Sequence, residues 1–278
     1  MNHPLAALEN PTVWEAAWAV LRWQNPLGFL FAALLGAAFG SFANVVIYRV
    51  PRALSIVKPA SHCPNCQKPI PPYHNIPIIS YLILGGKSSC CRQTISSRYP
   101  VIELLSALIF SALYLLDGLS WVLAFHASWM LLLLMLAAID LEHYRLPNPL
   151  VAAGAVISLL WMIVAPQQSW GDAALGLLTG GAIAGVVMLV SRVLKGQWGG
   201  VGDFKLSLAL GFTFGMGRFI FLYLITAISA VLAYLIYRKR FSDGRIPMGI
   251  FFAVGAWVTI WVGEELVRWY LSLIYFTK

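Results

Sequence analysis

Charge is what this 278-residue sequence most lacks. Only 11% of its residues are Asp, Glu, Lys or Arg, while 60% are hydrophobic and the mean hydropathy is +0.77. Soluble domains carry roughly a quarter charged residues, so a water-dispersed globule is excluded and lipid is the solvent for most of the chain. Acidic residues are the rarer sign, 11 against 19 basic, for a net charge of +8. In a membrane chain such an excess reports loops facing anionic headgroups rather than a nucleic-acid partner. Cysteine is missing outside one short segment that holds Cys63, Cys66, Cys90 and Cys91. There is no nucleotide fingerprint of the soluble kind, no evident tandem repeat and no low-complexity tract. Residues 1–25 carry Glu9, Glu15 and Arg22 and lack a basic start ahead of an apolar run. The first apolar segment is therefore expected to stay as an anchor rather than be cleaved as a signal.

What is abundant is apolar length. A hydrocarbon core about 30 Å thick needs about 20 apolar residues per helix. On that measure spans are expected near 27–48, 99–116, 121–141, 150–165, 172–194, 204–217, 219–237 and 247–270. The fold class expected is an all-α polytopic membrane protein of about eight transmembrane helices. An N-terminal tail covers 1–26, the first span 27–48, a polar, Pro-rich loop 49–98, and the remaining seven spans 99–278. Putting the 49–98 loop in the cytoplasm places fifteen basic residues inside and four outside (Arg22, Arg218, Arg268, Lys278). That bias fits the positive-inside rule and an even number of spans, with both termini in the periplasm.

Of the eleven carboxylates, Glu9 and Glu15 lie in the tail, Asp117 and Asp172 flank outer loops, and Asp243 sits in a short basic loop. Glu264 and Glu265 fall near the outer end of the last span, where Glu264 is placed to meet Arg268 one helical turn on. Glu103, Asp140, Glu142 and Asp203 remain at the inner ends of apolar helices. An ionisable group at membrane depth is a functional-site hypothesis, because its desolvation has to be offset. Asp140 closes the apolar run Leu131–Ile139, and Asp203 opens a span after Gly199-Gly200-Val201-Gly202. Two carboxylates sharing one proton hydrolyse peptides: the ionised one takes a proton from water and the neutral one polarises the carbonyl. Spacing alone leaves both residues open as helix caps. It also leaves Glu103 as a competing carboxylate, able to pair with Arg98 or Lys205.

Cys63-Pro-Asn-Cys66 is half of a zinc knuckle, since a CxxC turn aims two thiolates at one metal. A second CxxC is expected about twenty residues on, but the chain has Ser88-Ser89-Cys90-Cys91. Adjacent side chains diverge, so the alternatives are a four-cysteine site, a fourth ligand from His62 or His74, a three-coordinate, weakened or lost site, or free thiols. A bound zinc is expected to be structural, because the loop has too little apolar content for a core of its own.

Several segments together resemble the bacterial type IV prepilin peptidase family. They are Phe39-Gly-Ser-Phe-Ala-Asn-Val-Val-Ile-Tyr-Arg49, Ser61-His-Cys-Pro-Asn-Cys66, Asn75-Ile-Pro-Ile-Ile-Ser80, Gly86-Lys87 and Ser97-Arg-Tyr-Pro-Val-Ile-Glu103. Asp140 with Leu146-Pro147-Asn148, Gly200-Val-Gly-Asp203-Phe-Lys205 and Ile246-Pro-Met-Gly-Ile-Phe-Phe complete the set, which runs in order from about residue 28 to 260. Two positions depart from the family pattern. Ser88 stands where the second CxxC begins, and Asn148 stands where an Asp follows Leu-Pro.

The resemblance implies an aspartic endopeptidase of the bacterial inner membrane with its active site facing the cytoplasm. It would remove the short basic leader of prepilins or type II secretion pseudopilins after a Gly, then methylate the new N-terminus from S-adenosylmethionine. It implies Asp140 and Asp203 as the catalytic pair and Cys63, Cys66, Cys90 and Cys91 as the metal set. It assigns no residue to the methyl donor; the loop around Gly86-Lys87 is the segment to inspect. The loop's seven basic and no acidic residues suit anionic lipid rather than a basic leader, which leaves Glu103, Glu142 and the Asp pair to meet the leader. Two rival classes remain open. A membrane scaffold would use the zinc loop to dock a secretion partner, and a small proton-coupled transporter would need carboxylates near the midplane.

Overall fold

A computed structural model describes residues 25–63, 65–164, 166, 168–195, 200–237 and 246–275. The tail with Glu9, Glu15 and Arg22, the glycine at 199, the Arg238–Arg245 cluster with Asp243, and Lys278 lie outside the described residues. Among the described residues, eight α-helices follow one another: α1 Pro26–Arg49, α2 Ile79–Ile83, α3 Arg98–Asp117, α4 Trp121–His143, α5 Asn148–Val164, α6 Trp170–Lys195, α7 Val201–Ile236 and α8 Met248–Tyr275. No strand occurs among the described residues, only two isolated bridges, His62 with Pro69 and Lys87 with Thr94.

Six of the helices are long and apolar enough to cross a membrane: α1, α3, α4, α6, α7 and α8. Each of the eight expected apolar segments is helical, and the difference in count has two causes. Helix α5 has 17 residues, just short of a full crossing. Helix α7 has 36 residues and joins two expected spans, yet it is broken at Gly215 (φ 74°, ψ 170°). That backbone region is open essentially to Gly alone. The break falls within the expected boundary between those spans, Gly215 to Arg218.

Contacts divide the chain into two compact units, Met1–Val46 with Ser55–Ala127, and Ile47–Leu54 with Ser128–Lys278. In the first unit α1 and α3 run antiparallel. The glycines of Gly36-Ala-Ala-Phe-Gly40 lie directly on α3: a Cβ at Gly40 would stand 2.8 Å from the Glu103 Cα and 2.9 Å from the Ser106 Cβ. Small residues spaced four apart allow this approach where lipid supplies no hydrophobic drive between helices. One turn along, buried Asn44 donates through Nδ2 to the carbonyls of Gly40 (3.3 Å) and Tyr99 (3.1 Å).

In the second unit, α6 and the first half of α7 form a matching antiparallel pair, with Gly176 against Gly211 and Gly180 against Ser207. The break at Gly215 leaves backbone groups without helical partners, and side chains take them up. Gln168 Nε2 donates to the Phe212 carbonyl (2.7 Å), Arg218 Nε donates to the Phe214 carbonyl (2.9 Å), and Asp172 Oδ1 accepts from Met216 N (3.1 Å). Glu264 pairs with Arg218 at 3.8 Å, and Arg268 takes Glu265 at 2.9 Å instead of the expected Glu264. The fold thus uses Glu264 to neutralise a cation beside the helix break.

Candidate active site

Asp140 sits in the last turn of α4, where that helix ends at Tyr144 in a left-handed conformation (φ 51°) whose N–H bonds the Asp140 carbonyl at 2.8 Å. Its side chain is 6% exposed. Oδ2 accepts the backbone N–H of Gly249 at 2.8 Å, at the first turn of α8. Gly249 can come so near because it has no Cβ; one added there would stand 3.2 Å from both the Asp140 Cβ and the Ala137 Cα.

Asp203 lies in the first turn of α7, half-buried, behind Gly200 in a left-handed conformation (φ 74°). A Cβ at Gly200 would meet the Asp203 carboxylate at 3.1 Å. The α4–α5 connection and the start of α7 are packed together. Leu146 lies against Gly202, and Lys205 Nζ donates to Asn148 Oδ1 at 3.0 Å. The two carboxylates are within electrostatic reach of one another, and Tyr223 is within reach of Asp203. A pair of acids, one held by a backbone N–H and one beside a glycine-lined helix start, is an arrangement able to activate water against a peptide carbonyl.

Glu103 and Glu142, the other two carboxylates singled out in the sequence, are engaged differently. Glu103 is buried in the first unit, where Oε2 accepts the N–H of Ile78 at 2.7 Å and the Ser41 hydroxyl adds a second bond. Its partners are loop backbone and a serine hydroxyl rather than Arg98, and Lys205 bonds Asn148 instead. Glu142 is exposed beside His143 at 4.0 Å.

The four cysteine sulfurs of the first unit all lie within 4.8 Å of one another, and no histidine joins them among the described residues. His62 Nδ1 instead faces the Ala60 carbonyl at 3.0 Å, and His74 packs on Tyr73. Backbone geometry explains how the adjacent pair Cys90-Cys91 converges. Cys63 N bonds the Lys68 carbonyl (2.9 Å) and Gln67 N the Cys63 carbonyl (2.8 Å); likewise Ser88 N bonds the Gln93 carbonyl (2.8 Å) and Arg92 N the Ser88 carbonyl (2.9 Å). Gln67 and Arg92 both adopt φ 59°. The two isolated bridges keep the same offset. Two knuckles of one shape therefore face each other, in the register that the family resemblance implies.

In this register Ser88 takes the place of Cys63, Cys91 that of Cys66, and Cys90 that of Asn65. Cys90 reaches the cluster from the tip of its turn, 3.0 Å from the Cys66 sulfur, and Ser88 Oγ stays beside it at 2.9 Å. The N–H of Cys66, with the Ser88 hydroxyl, brings the Cys63 thiol down to about 6, whereas the neighbouring Cys90 thiol pushes Cys66 up to about 12. The N–H of Gln93 lowers Cys91. Four sulfurs this close cannot all become thiolates unless a cation lies among them. Tetrahedral zinc with Zn–S bonds of about 2.3 Å spaces its sulfurs about 3.8 Å apart. Cys63 and Cys91, at 3.6 Å, are close to that spacing, and rotation of exposed Cys90 opens the shorter contact. The donor set fits a soft divalent metal.

Residues 34–116 match the bacterial peptidase A24 N-terminal domain, and residues 127–236 match the type IV leader peptidase family. Among curated proteins, a prepilin leader peptidase/N-methyltransferase of Neisseria gonorrhoeae is 33% identical over 89% of this chain and 96% of its own length. One of Pseudomonas aeruginosa is 32% identical over 90% and 96%. One of Klebsiella pneumoniae is 40% identical over 66% of this chain and 82% of its own. No solved structure matches the chain at a significant level. With both matched regions in order and this similarity running along nearly the whole chain, the protein belongs to the type IV leader peptidase family and is a multi-pass membrane enzyme of its bacterial branch.

Proposed function

We propose that Asp140 and Asp203 form the proteolytic centre of an inner-membrane aspartic endopeptidase that removes the leader of a prepilin or type II secretion pseudopilin at the cytoplasmic boundary. The observation that carries this reading is the oriented, buried Asp140 carboxylate within electrostatic reach of Asp203. Two like charges so placed do not both ionise cheaply, so the pair keeps one proton between them. The ionised member takes a proton from water, whose oxygen attacks the scissile carbonyl carbon while the protonated member bonds the carbonyl oxygen. The peptide C–N bond then breaks as a proton passes to the leaving amine. The Gly249 N–H holds one Asp140 oxygen in place and leaves the other free to act.

The names of the relatives support a second activity, N-methylation of the new N-terminus, with S-adenosylmethionine as the methyl-donor substrate. In the 49–98 loop, which we assign to the cytoplasm, Cys63, Cys66, Cys90 and Cys91 would hold a zinc ion. Bound there, zinc would tie the two knuckles together as a structural cross-link and take no part in proteolysis. The excess of basic residues in that loop favours anionic lipid headgroups as its partner.

The test mixes purified protein with a prepilin and identifies the new N-terminus by mass spectrometry. Cleavage after a Gly that is lost in Asp140→Asn and Asp203→Asn supports the reading. Cleavage that survives both changes overturns it. Labelled S-adenosylmethionine should mark only the cleaved product; labelling of uncleaved prepilin contradicts the order of steps.

A further inference from the structure

The loop between α1 and α3 carries an apolar face that its own fold does not cover. Helix α2 presents Ile79, Leu82 and Ile83 outward, the last at 78% exposure. Its opposite side is pinned. Buried Ser80 accepts from Ile76 N (3.1 Å) and donates to the Tyr73 carbonyl (3.1 Å). Ile78, which enters the helix, is β-branched and held at φ 63°, a strained conformation that persists only where the surroundings impose it. Ile79 N closes this turn on the Pro77 carbonyl at 2.6 Å, and the Glu103 carboxylate holds it from outside by accepting the Ile78 N–H at 2.7 Å.

That hydrogen bond sets a depth. Glu103 lies five residues inside α3, about 7 Å along the axis from its Arg98 end at 1.5 Å per residue. The lipid-facing band of α3 begins at the same level, with Val101, Leu104 and Leu105 exposed. A segment bonded to Glu103 cannot stand clear of the membrane that bathes these residues. The charges around the segment agree: Lys58, Lys87, Arg92 and Arg98 flank it, and no acidic residue occurs between residues 55 and 98. Lys87 follows α2 directly, its N–H on the Leu84 carbonyl at 3.2 Å.

We infer that residues 76–83 are an interfacial wedge, tethered by Glu103 at the depth of the first turns of α3, whose Ile79, Leu82 and Ile83 enter the headgroup–acyl boundary of an anionic bilayer. Apolar side chains on an otherwise basic segment bind such a surface by burial and by attraction to anionic headgroups together. Irregular backbone is tolerated at this depth because protein groups satisfy it: the Ile78 N–H by Glu103, the Ile76 N–H by Ser80. The inference rests on the membrane reading of α3 and is independent of which residues cleave the leader.

The test uses the full chain in nanodiscs of phosphatidylethanolamine and phosphatidylglycerol. The photo-crosslinker p-benzoylphenylalanine is placed singly at Ile79, Leu82 or Ile83, and lipid adducts are counted by intact mass. Leu104 is the lipid-facing reference, and exposed Lys68 at the knuckle is the aqueous one. Adducts at the three wedge positions should approach those at Leu104 and exceed those at Lys68 by at least about fivefold. Yields no higher than at Lys68, or crosslinks to a second copy of the chain in place of lipid, overturn the wedge. The three positions are exposed and probed separately, so a folding failure at one leaves two to decide.

Discussion

The Asp140 carboxylate and the Gly249 backbone N–H meet at 2.8 Å across 109 residues of sequence. This bond joins the end of α4 to the start of α8 and fixes which way the carboxylate faces. Proton transfer to or from water depends on that direction as much as on the presence of the acid.

Replacing Asp140 or Asp203 by Asn preserves shape and removes an acid. Each single variant is expected to lose cleavage by roughly 10³-fold or more, and the double variant little beyond either, because members of one unit are strongly non-additive. Initial rates on a synthetic prepilin peptide measure this. A double variant that falls to the product of the two single effects would mean that the residues act separately.

Gly249→Ala probes orientation without touching either acid. The new methyl has to displace α8 from Asp140 and Ala137 by a few tenths of an ångström. A shift of that kind is expected to lower kcat about 10-fold or more while KM changes little. A variant with full kcat would show that the Gly249 bond is incidental.

For the cysteine cluster, elemental analysis is expected to find one zinc per chain, with chelation loosening the two knuckles in hydrogen exchange while the spans stay protected. Ser88→Ala removes a hydroxyl that lies 2.9 Å from the Cys90 sulfur and 3.5 Å from that of Cys63. Loss of such a supporting bond is expected to weaken the metal about 10-fold. The exchange Ser88→Cys with Cys90→Ser moves the fourth thiolate to the register position of Cys63 and should keep one equivalent of zinc. Competition with a chromogenic chelator reads both effects, and a metal-free double variant would contradict the matched-knuckle geometry.

Gly215→Ala places a side chain where the backbone conformation is essentially Gly-only and where the Asp172 carboxylate already stands. A loss of roughly 1–3 kcal/mol is expected from the strained backbone alone. Thermal unfolding in detergent measures it. An unchanged midpoint would mean that α7 straightens without penalty.

Much of the architecture was legible in the chain because lipid imposes a simple rule: apolar segments of sufficient length become helices that satisfy their own backbone. All eight apolar segments are helical for that reason. Asp140 and Asp203 stood out because carboxylates are few and apolar neighbours make each one conspicuous. The order of motifs was equally visible. These are properties of composition and of near neighbours along the chain.

Partners distant in sequence were decided by tertiary structure. Glu103 takes a loop N–H, Glu264 takes Arg218, and Lys205 takes Asn148. Each choice depends on helix register and crossing, which the glycine contacts of Gly40 and Gly176 set to within a fraction of an ångström. The second knuckle was legible only through the family resemblance, because the two turns share hydrogen bonds and positive φ more than residue types. By itself, then, the sequence determined that this chain enters a membrane, which segments are long enough to do so, and which carboxylates lie at the ends of apolar helices. Only the folded chain decided what those carboxylates face, because hydrophobic length is local whereas the direction of a hydrogen bond is set by elements brought together from far apart.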